Sequence, residues 1–327
     1  MRVKHGVAKT VAAIAAALSV FGGSAAAEGA YPDRMVRMVV PFSAGSITDG
    51  VARVLVDKLA SLWNQQVIVE NRPGLPGTAS VANAAPDGYT LMLTSNGHVI
   101  TKLFNSDVKF DPVKSFVGID KIAAITYLAV VPLESPVKSM ADFLALAKQN
   151  PHKLNFASIG TGSAPHLCFE LLKDLTKIDV VSVPYKGGPE GITAVLRNDV
   201  QLSLSPFPLA QKMAEANKVR VIAVNSTARN PQMPDVPTIT EGVPGYHCDT
   251  WMAILAPAGT PPAVVHKANE DITKILRMPD VIAKLQTYGS SPSPSTPEAL
   301  DRQISSEAEL YARVLRAAGV IGDGKAK

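Results

Sequence analysis

This chain is short of cysteine, of charge and of aromatic side chains, and each shortage excludes something. Cys168 and Cys248 are the only cysteines in 327 residues. They allow at most one disulfide, and a spacing of 80 positions leaves open whether they meet. Charged residues make up 18% of the chain and form no Lys/Arg block, which argues against nucleic acid or an anionic membrane surface as a partner. The formal charge of +4 comes mostly from Arg2, Lys4 and Lys9, so the chain beyond residue 27 carries only +1. Enzyme signatures are also missing: there is no G-x-S-x-G elbow, H-E-x-x-H helix, P-loop or calcium loop. Gly160-Thr161-Gly162 opens like a dinucleotide fingerprint, but the closing glycine position is Pro165. His98, His152, His166, His247 and His266 show no metal-ligand spacing, and no metal or cofactor is expected.

The one long apolar run lies near the start. Val11–Phe21 follows the three cations and precedes Ala25-Ala26-Ala27, the pattern of a cleaved signal peptide over residues 1–27. The run is shorter than a membrane span needs, and no cysteine follows it to accept a lipid anchor. A freely soluble, exported, periplasmic protein is expected. The remaining residues, about 300, are enough for two α/β domains.

Within them, β-branched runs alternate with helical patterns. Met35–Val40 reads as a buried strand that Pro41 ends, and Phe42–Thr48 is a loop of small and hydroxyl residues. Thr48 or Asp49 then caps a helix with Val51, Val54, Leu55 and Leu59 at helical spacing. A second copy follows: strand Leu154–Ser158, the glycine loop Ile159–Ser163 (IGTGS) and helix Ala164–Leu175. Asn71–Gly77 (NRPGLPG) reads as a loop, with a short helix from Thr78. Strands alternating with helices predict mainly parallel sheets covered on both faces. The proline-bounded apolar segments Asp120–Val131 and Cys248–Ala256 read as two crossings between lobes. This gives lobe 1 as residues 28–130 plus 255–327 and lobe 2 as 131–254, hinged at the crossing strands in a monomer.

Two strand–loop–helix units, one per lobe, bring two helix N-termini to one cleft. Unpaired N–H groups and the helix dipole favour an anion there, helped by the hydroxyls of Ser43, Ser46, Ser158, Thr161 and Ser163. Gly45 and Gly162 are expected to provide an open backbone conformation or room for a ligand. Ser95, Asn96 and His98 stand at the carboxyl end of another strand, and Tyr185 and Lys186 at the end of a third. Ordinary packing turns remain the alternative for every one of these.

Several motifs come in order: PFSAGSITD at 41–49, VENRPG at 69–74, APDGYTL at 85–91, DPVKSF at 111–116, LNFASIGTGSAPHL at 154–167, VPYKG at 183–187, MPDVPT at 233–238 and LAPAGTP at 255–261. The chain resembles the substrate-binding proteins of tripartite tricarboxylate transporters, also called Bug receptors, over almost the whole chain beyond the leader. The resemblance implies a periplasmic binding protein-like α/β fold with two lobes that closes like a Venus flytrap, a small organic carboxylate as ligand, and the membrane components of the transporter as partners. It also implies that the loops Ser43–Thr48 and Ser158–Ser163 hold the carboxylate. The expected ligand set is Phe42, Ser43, Ala44, Gly45, Ser46, Thr48, Asp49, Ser95, Asn96, His98, Ser158, Gly160, Thr161, Gly162, Ser163, Tyr185 and Ser205. Ser205 stands where many relatives have an acid, which disfavours a ligand ammonium. Ser95-Asn96-Gly97-His98 replaces the usual hydroxyl-glycine run, leaving His98 as a second anchor or as a plug. Ala164-Pro165 replaces a hydroxyl pair, leaving the helix N–H groups. Competing readings are a periplasmic ligand sensor that signals to a membrane kinase and a secreted α/β hydrolase.

Overall fold

Val36–Val40 (VRMVV) forms strand β1, buried at four of its five positions, as its β-branched run requires of a central strand. The fold was read from a computed structural model that describes residues 31–321 apart from 106, 161, 162, 227 and 249. The expected signal peptide lies outside the described residues, as do Thr161 and Gly162. Helix α1, Ile47–Trp63, buries Val51, Leu55, Leu59 and Trp63, spaced one helical turn apart. Its N-cap is Ser46, not Thr48 or Asp49. The Ser46 backbone is extended (φ −67°, ψ 160°), and its hydroxyl accepts from the Asp49 amide at 3.2 Å. Asn64 ends the helix in the left-handed region (φ 49°).

The chain continues through β2 (Val67–Asn71), α2 (Leu75–Ala82), β3 (Thr90–Ser95), a 3-10 turn (Asn96–Ile100), α3 (Thr101–Phe104), β4 (Phe116–Ile125) and β5 (Tyr127–Pro132). Next come α4 (Met140–Gln149), β6 (Leu154–Ser158), α5 (Ala164–Thr176), β7 (Val180–Pro184), α6 (Gly188–Leu196), β8 (Leu202–Pro206), α7 (Phe207–Glu215) and β9 (Val219–Asn225). Last are α8 (Ile239–Gly242), β10 (Trp251–Pro257), α9 (Pro262–Leu276), α10 (Pro279–Thr287), β11 (Ser290–Pro292) and α11 (Pro297–Ala317). Helix α2 starts inside the segment read as a loop, because Pro76 falls in the first turn, where no N–H is needed. No described helix is long and apolar enough to cross a membrane.

Two sheets form, each with helices against it. The order is β11-β4-β10-β3-β1-β2 in one and β7-β6-β8-β5-β9 in the other. The sheets are mixed rather than mainly parallel. β1 runs parallel to β2 and β3, but β10 pairs antiparallel with β3 and β4. β6 runs parallel to β7 and β8, but β5 pairs antiparallel with β8 and β9. The parallel strands place the loops after β1 and β3 at one end of the first sheet. They likewise place those after β6 and β7 at one end of the second.

The chain changes sheets at Thr126, which splits the apolar crossing segment expected over 120–131 into β4 and β5. The Thr126 amide donates to the Gly289 carbonyl at 3.0 Å, and its carbonyl accepts from Phe207 at 3.1 Å. The return passes Thr250, whose carbonyl accepts from the Ile125 amide at 2.7 Å. β5 and β10 each lie whole within one sheet, so positions 130/131 and 254/255 fall inside strands rather than at a change of sheet. Helix α11 packs on both β4 and α5. Its Glu307 accepts from the buried Trp251 indole at 3.0 Å. Cys168 on α5 and Cys248 on the return form a disulfide, with Cα atoms 5.4 Å apart. The Asn225 amide donates to the Cys248 carbonyl at 3.2 Å beside it.

One buried carboxylate makes stability depend on pH. Asp120 on β4 is fully buried and accepts from the Ser295 amide at 2.8 Å and the Thr273 hydroxyl at 2.9 Å. Burial pushes its acid up to about 7, against the smaller opposing effect of those two donors. A carboxyl group raised above its unfolded value, about 4, stabilises the fold below that value. The contribution is lost as pH rises through 7. Urea unfolding of Asp120→Asn should therefore show a shallower fall in stability between about pH 4 and 7 than the wild type. Parallel pH profiles for the two proteins would contradict this.

Candidate functional site

The loop after β1 is held from inside. The Asp49 carboxylate accepts from the Gly45 amide at 2.9 Å, Arg53 Nε at 3.2 Å and Asn71 Nδ2 at 3.0 Å. Asn71 Nδ2 also reaches the Phe42 carbonyl at 3.3 Å. Burial weakens Asp49 as an acid, but the donors and the Arg53 charge together outweigh it and hold the carboxyl below its ordinary range, ionised at neutral pH. Asp49 is thus occupied in shaping the turn. Gly45 has φ 82°, a conformation the turn requires and glycine adopts without strain.

The matching loop after β6 ends at Ser163, the N-cap of α5, whose hydroxyl accepts from the His166 amide at 3.4 Å. Gly160 takes φ 111°. His166 points along the helix toward Glu170, 3.7 Å away, and is buried.

A cavity of about 630 Å³ lies between these loops and draws its wall from both sheets. Of the expected residues, Phe42, Ser46, Thr48, Ser95, His98 and Ser163 line it. Ser43, Ala44 and Gly45 are exposed on the turn and do not. Asp49, Asn96, Ser158 and Ser205 are buried behind the wall, and Gly160 is half-buried beside it. The Ser158 and Ser205 hydroxyls have no hydrogen-bond partner among the described residues. Tyr185 lines a separate surface depression of about 420 Å³ with Glu190, Arg197 and Asp199, while its neighbour Lys186 reaches the main cavity. The sequence reading left Thr78, Thr101, Asn105, Ile125 and Tyr127 out of the wall altogether. Ile125 and Tyr127 belonged to a uniformly apolar run and carried no signal of their own. Among the described lining residues there is no Asp or Glu, and Lys186 is the one permanent charge.

His98 is buried in the cavity wall. Its Nε2 lies 2.8 Å from the Pro112 carbonyl and so carries the proton and donates it there. The ring meets Phe116 edge to face at 4.8 Å between centroids. Burial pushes the imidazole down to about 4, against the smaller pull of the Pro112 carbonyl, so it is neutral at pH 7. A neutral ring whose N–H is already donated cannot anchor a second carboxylate. Calorimetry of His98→Ala should show the same change, within about threefold, for a monocarboxylate and a dicarboxylate. A loss confined to dicarboxylates would restore the anchor role.

Residues 51–320 match the model of the tripartite tricarboxylate transporter family receptor. A Pseudomonas sp. protein encoded in a tcbD–tcbE intergenic region is 33% identical over 312 residues, 94% of this chain and 93% of its own length. A solved R. palustris protein with adipate is 31% identical at a TM-score of 0.74, covering 88% of this chain and 98% of that one. MatC from Rhodopseudomonas palustris with bound malate is 31% identical at a TM-score of 0.70, covering 87% of this chain and 100% of that one. The two-lobed fold is that of periplasmic binding proteins. The chain belongs to the tripartite tricarboxylate transporter receptor family, a family of solute-binding proteins and not of enzymes.

Proposed function

We propose that this protein is a periplasmic receptor that captures a small organic carboxylate between its lobes and delivers it to a tripartite tricarboxylate-type transporter. The observation that carries the reading is the cavity wall. It combines two capped helix starts, at Ser46 and Ser163, with Lys186 and with no acidic side chain among the described residues. Backbone N–H groups at two helix starts favour an anion. A ligand ammonium would find no carboxylate among the described lining residues, and Ser205 offers none behind them. The adipate and malate bound by relatives support carboxylates as the class. Lobe closure would pivot at Thr126 and at the return near Thr250, where the chain changes sheets.

Thermal-shift screening tests this directly. A carboxylate at a hundredfold excess over its Kd adds about 2.7 kcal/mol to the folded state. That raises Tm by about 4 °C in a chain of this size. Carboxylates should shift Tm in this way, while amines and amino acids should shift it less. Stabilisation by cations or amino acids alone would overturn the proposal.

A further inference from the structure

We infer, on the carboxylate reading above, that the ligand has a single charged end and an apolar body. The head would be met by the helix starts and by Lys186, one cation for one carboxylate. The rest of the wall is of a different character. Phe42, Ile100, Phe104 and Ile125, the Tyr127 ring and Ile159 line it from both sheets.

Three polar side chains among these apolar groups are already engaged. The Thr101 hydroxyl donates to the Gly97 carbonyl at 3.4 Å, and Asn105 Nδ2 donates to the Thr101 carbonyl at 3.0 Å. His98 donates its one proton to the Pro112 carbonyl. A second carboxylate placed there would lose its water and find no second cation, which is costly. An apolar chain or ring in the same place loses nothing and buries surface that would otherwise face water. Size points the same way, since about 630 Å³ is more than a carboxylate head alone can fill.

Tyr127 adds a specific feature. Its side chain is buried, its hydroxyl has no hydrogen-bond partner among the described residues, and burial keeps the phenol neutral by pushing it up to about 12. It offers an apolar ring face and one neutral donor, which suit the junction of an apolar body with a polar head.

The test is a matched pair, hexanoate and adipate, which share a six-carbon chain and differ only in the second carboxylate, with acetate as the head alone. Calorimetric titration of the full mature protein should give hexanoate an affinity at least about tenfold higher than adipate. Phe104→Ala should weaken hexanoate at least about tenfold and leave acetate unchanged. Circular dichroism and thermal melting of the variant exclude a folding defect. Adipate binding more tightly than hexanoate, or Phe104→Ala affecting acetate and hexanoate equally, would overturn the inference and leave the carboxylate receptor intact. Failure of all three acids to bind, with amines binding instead, would overturn the receptor proposal as well.

Discussion

The structure depends on how one residue, Thr126, is held where the chain changes sheets. Its amide is committed to Gly289 on the side of the first sheet and its carbonyl to Phe207 on the side of the second. Gly289 takes φ 68°, and a Cβ there would stand 2.6 Å from Pro208 Cδ, so the close approach of the two sides needs glycine. The neighbouring strand ends are tied by the Ile125–Thr250 pair, and α11 spans the junction through Glu307 and Trp251. With the crossing fixed, the loops that end β1, β3 and β6 must face a common space. The cavity follows from that constraint rather than from any single binding residue.

Much of this was legible in the sequence, and the misses have physical causes. The β1–loop–α1 unit shows itself through a β-branched run, Pro41 and a helical stripe. The cap was misplaced because Ser46, Thr48 and Asp49 are all good capping types within four residues. Only the extended backbone at Ser46 decides among them. Tyr185 and Lys186 follow the end of β7, where the chain turns Lys186 to the main cavity and Tyr185 to the separate depression, a divergence that sequence adjacency does not reveal. Mixed sheets were missed because antiparallel pairing of β10 with β3 and β4 joins segments more than a hundred positions apart, which local patterns do not encode. The Cys168–Cys248 bond is of the same kind. The role of His98 turned on the Pro112 carbonyl, which only the folded chain brings within reach.

The chemistry of the site is restrained. It offers neutral donors at helix starts, one exposed cation and a largely apolar wall, while the buried Asp49 is neutralised inside the loop by Arg53 and its amide donors. Such a pocket binds and releases; nothing in its described lining pairs a nucleophile with a base.

The most direct measurement exploits the double duty of Ser163. Aspartate is as good an N-cap as serine and is favoured by the helix dipole, so Ser163→Asp should preserve α5 and the melting temperature. It also places a negative charge on the cavity wall. If a carboxylate is held between the two helix starts, calorimetry should show its affinity fall by at least about a hundredfold in this variant. Undiminished carboxylate binding by a fully folded Ser163→Asp protein would show that the ligand sits elsewhere.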